Sequence, residues 1–170
     1  MAKRIITISR EFGSGGRFIG EEVAKKLGIA YYDKEMIGQI AEQAGLSSEY
    51  VRENAELSPK KGWFAYAFSG RDITGKSVED MVYEAQRKVI MEIAEKENCV
   101  IIGRNADFIL KDRKDVLNVF IHGSIPEKVR RICSLYNVTE VDAIKMINDI
   151  DKRRRTNYNF YTEQKWGMAA

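Results

Sequence analysis

Apolar and polar residues follow one another in blocks that predict strands and helices in alternation. Residues 3–9 form a short run rich in β-branched side chains, which is typical of a buried parallel strand. The next helix is predicted to end before Gly28. Its expected apolar face consists of Ile19, Val23, Ala24 and Leu27. Residues 29–33, "IAYYD", predict a second short strand that ends at Asp33.

The middle of the chain is predicted to be largely helical. Two short helices are expected at 34–44 and 48–57, followed by a less regular, aromatic and basic segment at 58–77. Such a segment fits a flap over a ligand. Its aromatic side chains would equally suit the core or a contact between two copies of the chain. Ser77 is a suitable N-cap for a long helix that reaches about Glu97.

The second half predicts two more strands and two more helices. A third strand ends at Gly103-Arg104, and a fourth strand covers 116–124, "VLNVFIHGS", after a short helix. Pro126 suits the first turn of a helix that runs to about Asn137. The last helix starts at Thr139 and becomes strongly basic in "DKRRRTNYNFY". Its expected buried stripe consists of Val141, Ile144, Ile147 and Ile150.

This alternation predicts an α/β fold with a mostly parallel sheet covered by helices. The 170 residues suffice for one domain, and 44% apolar with 31% charged residues is an ordinary globular composition. No apolar run approaches the roughly 20 residues of a membrane span, and no signal peptide is recognisable. We therefore expect a cytoplasmic protein without a membrane partner.

Cysteine content and net charge exclude several functional classes. Two cysteines and one histidine provide neither a disulfide framework nor the spacing of a zinc site, so we expect reduced, packed thiols. A net charge of +3 is too small to indicate nucleic-acid binding, and none is expected. The positions of the cations carry more information than their number.

The glycine-rich stretch "REFGSGGR" joins the first predicted strand to the first helix. Gly13, Gly15 and Gly16 allow positive φ angles and a close approach of the backbone to a phosphate, and Ser14 adds a hydroxyl. The unpaired N–H groups that open a helix favour an anion at the same point. We predict a phosphate-binding loop; a turn without a ligand is the alternative.

The loop departs from the P-loop motif G-x-x-x-x-G-K-[ST]. Alignment on its end places Arg10 at the first glycine, Gly16 at the lysine and Arg17 at the Ser/Thr. Arg17 is our candidate for the missing cation, because a guanidinium can bridge two phosphate oxygens. The dinucleotide-binding fingerprint does not fit, since its third glycine would fall on Phe18.

Other charged residues are expected at the same edge of the sheet. Ligands of open α/β sheets bind beyond the carboxyl ends of the strands, which Asp33 and Arg104 both follow. On the last helix Asp151 and Arg154 are three residues apart, so the aspartate could orient the arginine. A solvated helix end is the alternative interpretation of this basic segment.

Five stretches together resemble the cytidylate kinase-like family, relatives of the P-loop nucleoside monophosphate kinases. They are "ISREFGSGGRFIG", "YYDKEMI", "CVIIGRNADFIL", "VFIHGSIPEKVRRI" and "DIDKRRRTNYNFYTEQKW". The resemblance covers nearly the whole chain as one domain. It implies a P-loop kinase-like parallel sheet with helices on both faces, an acceptor-binding insert at about 45–76 and a mostly helical lid at about 130–162.

The resemblance also implies an activity, namely transfer of the ATP γ-phosphoryl group, with Mg²⁺, to a nucleoside monophosphate such as (d)CMP. Arg17 and Arg154 would act in catalysis, with Arg154 positioned by Asp151. Substrate contacts would come from Asp33, Arg104 and Arg131. For Arg131 and its neighbour Arg130, the alternative is that they are solvent-exposed surface charges. The donor phosphates would be held by Gly13, Ser14, Gly15, Gly16 and Arg17. Tyr158 and Trp166 match the family pattern without an assigned role.

Some residues differ from those of cytidylate kinases, which have the loop lysine, an aspartate after "GR" and a second Arg-Asp in the lid. Here Asn105 follows Arg104. A nucleotide-binding regulatory module without turnover is therefore the alternative function. Those kinases also continue beyond the equivalent of "WGMAA" into a further strand and helix. We expect this C-terminal strand to be missing. Either the protein is trimmed, or a partner covers the exposed edge of the sheet. The partner could be a second copy of the chain in a homodimer.

Overall fold

The computed structural model describes residues 4–33 and 78–168. The helices predicted at 34–44 and 48–57, the segment 58–77, its Ser77 cap and the insert at 45–76 lie outside the described residues. The described strands are β1 (Ile5–Arg10), β2 (Ala30–Tyr32), β3 (Cys99–Ile102) and β4 (Val116–Ile121). The described helices are α1 (Gly16–Leu27), α2 (Val78–Lys96), α3 (Ala106–Ile109), α4 (Ile125–Tyr136) and α5 (Glu140–Thr162).

The four described strands form one parallel sheet in the order β2-β3-β1-β4. Ile5 pairs with both Cys99 and Val116, and Ala30 pairs with Cys99, so the strands start at the same level. Their carboxyl ends consequently lie at one edge of the sheet. The predicted α/β class with a parallel sheet is confirmed.

Helices pack on both faces of this sheet. On one face α2 contributes Val82, Val89 and Ile93 to a cluster with Cys99 and Ile101 of β3. On the other face α1 packs through Ala24 against Ile8, Val100 and Ile102. Strand β3 is fully buried on both sides, which explains its continuous apolar run.

The exposed faces of two helices correct the sequence interpretation. In α1, Ile19 and Leu27 are exposed, because the small residues Gly20 and Ala24 face the sheet. A Cβ on Gly20 would lie 2.4 Å from Ile102 Cδ1, so the close packing of α1 depends on a residue without a side chain. The predicted apolar face of α1 was therefore wrong at its two ends.

In α5, Val141 and Ile144 are 62% and 43% exposed, so the predicted stripe was wrong at these positions. The helix instead buries a face that starts with Ala143 and Ile147, which pack on α4 through Val129 and Ile132. This face continues through polar residues, namely Asp151, Asn157 and Thr162, together with Tyr158. The predicted Thr139 cap is confirmed, since its hydroxyl accepts from the Asp142 N–H.

Both cysteines are free thiols, as predicted. Cys99 is fully buried in β3, and burial raises the pKa of its thiol to about 12, so the neutral form dominates at physiological pH. Within residues 4–33 and 78–168, no helix is both long enough and apolar enough to cross a bilayer.

Candidate active site

The glycine loop between β1 and α1 has the backbone geometry of an anion site. Gly13 and Gly15 have φ angles of +80° and +84°, which residues with side chains rarely adopt. The Ser14 hydroxyl donates to the Glu11 carbonyl at 2.9 Å and fixes the turn. No acidic residue lies in the first turn of α1, so the positive end of the helix dipole stays uncompensated by the helix itself.

Helix α4 supports this loop from one side. A Cβ on Gly13 would lie 3.1 Å from both the Lys128 carbonyl oxygen and Ile132 Cγ1, so loop and helix are in close contact. Arg131, also on α4, donates from Nη1 to the Gly13 carbonyl at 2.6 Å. The structure thus places the predicted substrate-binding Arg131 against the glycine loop.

Arg17 and Asp33, both predicted site residues, form an ion pair. Arg17 Nε lies 3.1 Å from Asp33 Oδ2, with side chains 47% and 12% exposed. The pair joins the first turn of α1 to the end of β2 across the carboxyl edge of the sheet. The guanidinium of Arg17 therefore lies on the side of the loop that faces β2.

Three arginines from three different elements line one small hollow at the carboxyl edge. Arg10 ends β1, Arg104 follows β3 and Arg154 lies on α5. The other described residues that line it are Ser9, Gly103, Asn105, Tyr158 and Trp166. We call this site the arginine hollow. It unites Arg104 and Arg154 as predicted, while Arg17 is not among the described residues that line it.

The turn that carries Arg104 has an uncommon backbone conformation. Gly103, Arg104 and Asn105 all have positive φ angles, of 66°, 64° and 54°. Non-glycine residues adopt this region at a cost, so tertiary contacts must hold them there. The Arg104 carbonyl accepts from Gln86 Nε2 at 2.6 Å, and Asn105 Nδ2 donates to Asn157 Oδ1 at 3.2 Å. Contacts to α2 and α5 thus hold the backbone of this turn.

Helix α5 is fixed to the glycine loop by Asp151 and Arg154. Asp151 Oδ1 accepts from the Phe12 N–H at 2.6 Å and lies 3.9 Å from Arg154 Nη1. Arg154 Nη1 also donates to the Arg10 carbonyl at 3.1 Å. Asp151 therefore holds the loop backbone and also faces Arg154. Arg154 in turn contacts the end of β1.

Lys128 is a site residue that the sequence analysis missed. Its side chain is 3% exposed, and Nζ lies 3.0 Å from Glu11 Oε2 and 3.2 Å from Asp151 Oδ2. Glu11 also accepts from the Gly123 N–H at 3.2 Å. We call Glu11, Lys128 and Asp151 the ion triad. No local signal distinguishes Lys128 from a solvated helix lysine, because its partners are 117 and 23 residues away.

Tyr158 and Trp166, which had no assigned role, both line the arginine hollow. The Tyr158 hydroxyl donates to Asp107 Oδ2 at 2.7 Å. Burial raises the pKa of the Asp107 carboxyl above its ordinary value, because the charged form loses hydration. Burial, and then the hydrogen bond to Asp107, raise the pKa of Tyr158, so its hydroxyl stays protonated. The Trp166 ring packs edge-on against Phe120 with centroids 5.0 Å apart.

The described residues contain no group of three or more His, Cys, Asp or Glu side chains that could cage a metal ion. This composition does not argue against Mg²⁺, which in phosphoryl-transfer sites keeps several waters and binds mainly through substrate phosphates and one or two carboxylates. No larger protein cage is needed.

Comparison with known proteins now identifies the family. The model of the cytidylate kinase-like family matches residues 5–170. The chain belongs to this family. Among proteins with curated descriptions, none matches this sequence significantly. Membership of the cytidylate kinase-like family supports a kinase-type fold, with nucleotides and Mg²⁺ as its general ligands.

Solved structures support the same fold. An uncharacterised protein from Eubacterium ventriosum ATCC 27560 is 29% identical, with a TM-score of 0.72 over 98% of this chain and 82% of that one. Shikimate kinase from Bacteroides thetaiotaomicron is 20% identical, with a TM-score of 0.53 over 94% of this chain and 82% of that one. The cytidylate kinase-like chain thus shares the fold of P-loop kinases.

Proposed function

We propose that this protein is an ATP-dependent phosphotransferase that moves the γ-phosphoryl group of ATP to a nucleoside monophosphate such as CMP or dCMP. The observation that carries the proposal is the arginine hollow, in which cations from β1, β3 and α5 converge beside a glycine loop. Family membership supports the kinase class. The convergence of arginines at the carboxyl edge supports a phosphate-binding role for this edge of the sheet.

In the proposed reaction, an oxygen of the acceptor phosphate attacks the γ-phosphorus of ATP. The bond from that phosphorus to the bridging oxygen breaks, and its electron pair leaves with ADP, so the products are ADP and a nucleoside diphosphate. The acceptor phosphate is already anionic at neutral pH, and no general base is required. The protein mainly has to position two anions and stabilise charge that spreads over the γ-phosphoryl oxygens.

Each cationic residue then has a proposed role. The loop of Gly13, Ser14, Gly15 and Gly16 offers backbone N–H groups to the donor phosphates, together with Arg17. Arg104 binds the acceptor phosphate, and Asp33 and Arg131 contribute further contacts to the substrate. Arg154 meets the transferring group and is positioned by Asp151, whose carboxylate also holds the loop at Phe12. Mg²⁺ would neutralise donor phosphate charge when bound.

The test is a turnover assay with ATP, Mg²⁺ and each of the nucleoside monophosphates, with ADP release as the readout. Arg17→Ala and Arg154→Ala should each lower kcat by about 100-fold, since the first removes a cation from the donor phosphates and the second removes one from the transferring group. Their free energies of unfolding should change far less than the activity. Arg4→Ala is the matched control, because Arg4 precedes β1 at the opposite edge and is 45% exposed.

The second candidate function is a regulatory module that binds nucleotide without turnover. Gly16 favours it, because the P-loop lysine that would stand there is absent. Calorimetric binding of ATP with no ADP release across the monophosphates would support this module. Unchanged turnover in both Arg17→Ala and Arg154→Ala would refute the proposed catalytic roles.

A further inference from the structure

Two of the three residues that depart from the P-loop motif, Arg10 and Gly16, lie six positions apart and pack closely in space. Arg10 stands where the motif has its first glycine, and Gly16 stands where it has its lysine. A side chain and a glycine have thus exchanged places between the end of β1 and the start of α1. The structure shows why these two changes belong together.

Gly16 needs to be glycine because of Arg10 and not because of its own backbone. It is the first residue of α1 and is not among the residues with positive φ, so its conformation suits any amino acid. A Cβ on Gly16 would nevertheless lie 2.6 Å from Arg10 Cβ and 3.0 Å from Arg10 Cγ. Cβ is fixed by the Arg10 backbone, so no side-chain rotation can relieve the shorter of these two contacts. The Arg10 stem therefore occupies the space that a side chain at position 16 would require.

Arg10 is also part of the arginine hollow. Arg10 is 9% exposed and lines the hollow together with Arg104 and Arg154. Its carbonyl accepts from Arg154 Nη1, so the end of β1 is tied to the helix that carries the proposed catalytic arginine. Arg10 thus connects the glycine loop to the arginine hollow.

We propose that Arg10 supplies the cation that P-loop proteins place on their lysine, and that it contacts the β- and γ-phosphates of a nucleoside triphosphate. The cation reaches the polyphosphate from the end of β1 and not from the start of α1. This inference rests on the proposed function, because it requires a triphosphate in the glycine loop. It adds a residue outside the Gly13–Arg17 set to the donor site.

The test is calorimetric binding of ATP, and of inorganic tripolyphosphate as a probe without a base. Arg10→Gln keeps the stem against Gly16 and removes the charge, and it should weaken binding of both ligands by about 10- to 100-fold. Arg10→Lys should recover a substantial part of the lost affinity. Arg4→Gln, at the other end of the same strand, should bind like the wild type.

An exchange variant provides the second measurement. Gly16→Lys alone should lower the unfolding midpoint and weaken ATP binding, because its Cβ meets the base of Arg10. The double variant Arg10→Gly with Gly16→Lys restores the motif order and should recover ATP binding to within about tenfold of the wild type.

The outcomes separate this inference from the proposed function. If wild-type protein binds ATP and Arg10→Gln binds it equally well, Arg10 is not the phosphate cation, while the phosphotransferase proposal stands. If wild-type protein binds neither ATP nor tripolyphosphate, the proposed function fails and takes the role of Arg10 with it. Loss of binding in Arg10→Gln with an unchanged unfolding midpoint supports the inference.

Discussion

At the scale of single residues, Asp107 and Tyr158 couple proton binding to the stability of the site. The pKa of Asp107 in the folded protein lies above its ordinary value of 3.8, chiefly because the carboxyl is buried. The folded state therefore retains this proton at pH values where the unfolded state has lost it. By linkage, the Asp107 contribution to stability falls as the pH rises from about 3.8 through the raised pKa.

Asp107→Asn should remove this loss of stability. The amide oxygen can still accept from the Tyr158 hydroxyl, but no charge has to be buried at neutral pH. We expect the variant to gain unfolding free energy relative to the wild type as the pH rises from 4 to 7. Urea unfolding at several pH values measures this difference. A difference that does not vary with pH would contradict the linkage.

Arg104 supplies a second residue-scale prediction, which rests on the proposed acceptor role. Arg104→Lys keeps the positive charge but loses the planar fork that binds two phosphate oxygens at once. The KM for the monophosphate should rise about tenfold with kcat changed much less. A fall in kcat at constant KM would instead place Arg104 at the transferring group. Arg4→Lys serves as the control.

At the scale of elements, the ion triad joins the glycine loop to α4 and α5. Removing one member of a buried ion group leaves its partners charged and unpaired. Lys128→Met should therefore destabilise the protein by about 3 kcal/mol, moderated by the partial exposure of Glu11. Lys145→Met removes a 73% exposed lysine that pairs with Asp142 on α5. This control should change the stability by less than about 0.5 kcal/mol.

Neutralising the two acids distinguishes the triad from simple packing. In a protein that already carries Glu11→Gln and Asp151→Asn, adding Lys128→Met should lower the free energy of unfolding much less than it does in the wild type. No unpaired charges are then left behind. Chemical unfolding of the three variants measures the difference. Equal costs in both backgrounds would show that packing of the lysine stem, and not charge pairing, is what Lys128 contributes.

Helix α5 shows why the sequence predicted the elements better than it predicted the site. The strands were predictable because β1 and β3 are short apolar runs, and the cap of α5 because Thr139 precedes an acidic turn. The buried face of α5 was not predictable, since it passes over the polar carboxyl edge and changes from Ala143 and Ile147 to Asp151 and Thr162. Hydrophobic periodicity cannot identify a face that is buried against charged groups.

The same limitation applies to the arginines. The position of Arg104 after a strand predicted the carboxyl edge, and the family resemblance predicted a site role for Arg154 on the last helix; both line the arginine hollow. The contact between Arg10 and Gly16 depends on the angle at which β1 enters α1, which residue spacing does not encode. The two departures from the P-loop motif were visible in the sequence, but their compensation became visible only when Cβ distances could be measured.

At the scale of the whole molecule, charges are arranged differently at the two edges of the sheet. At the amino edge, Arg4 and Arg113 both face Asp115, and Arg113 also pairs with Glu95. At the carboxyl edge, three arginines line the arginine hollow, and Asp151 lies 3.9 Å from one of them, Arg154. The modest net charge of +3 therefore does not reveal that several arginines gather at the edge where the phosphates are proposed to bind.

This arrangement predicts that two phosphorylated ligands stabilise the protein cooperatively. Arg154 contacts the end of β1 and shares the hollow with Arg104, so binding of a donor at the loop should order α5 for the acceptor. With CMP and an ATP analogue that cannot transfer its γ-phosphoryl group, the gain in unfolding free energy should exceed the sum of the separate gains. Thermal unfolding with each ligand and with both measures it. In Arg154→Ala the gains should become additive, because the residue that links the two sites is gone; additive gains in the wild type would refute the coupling.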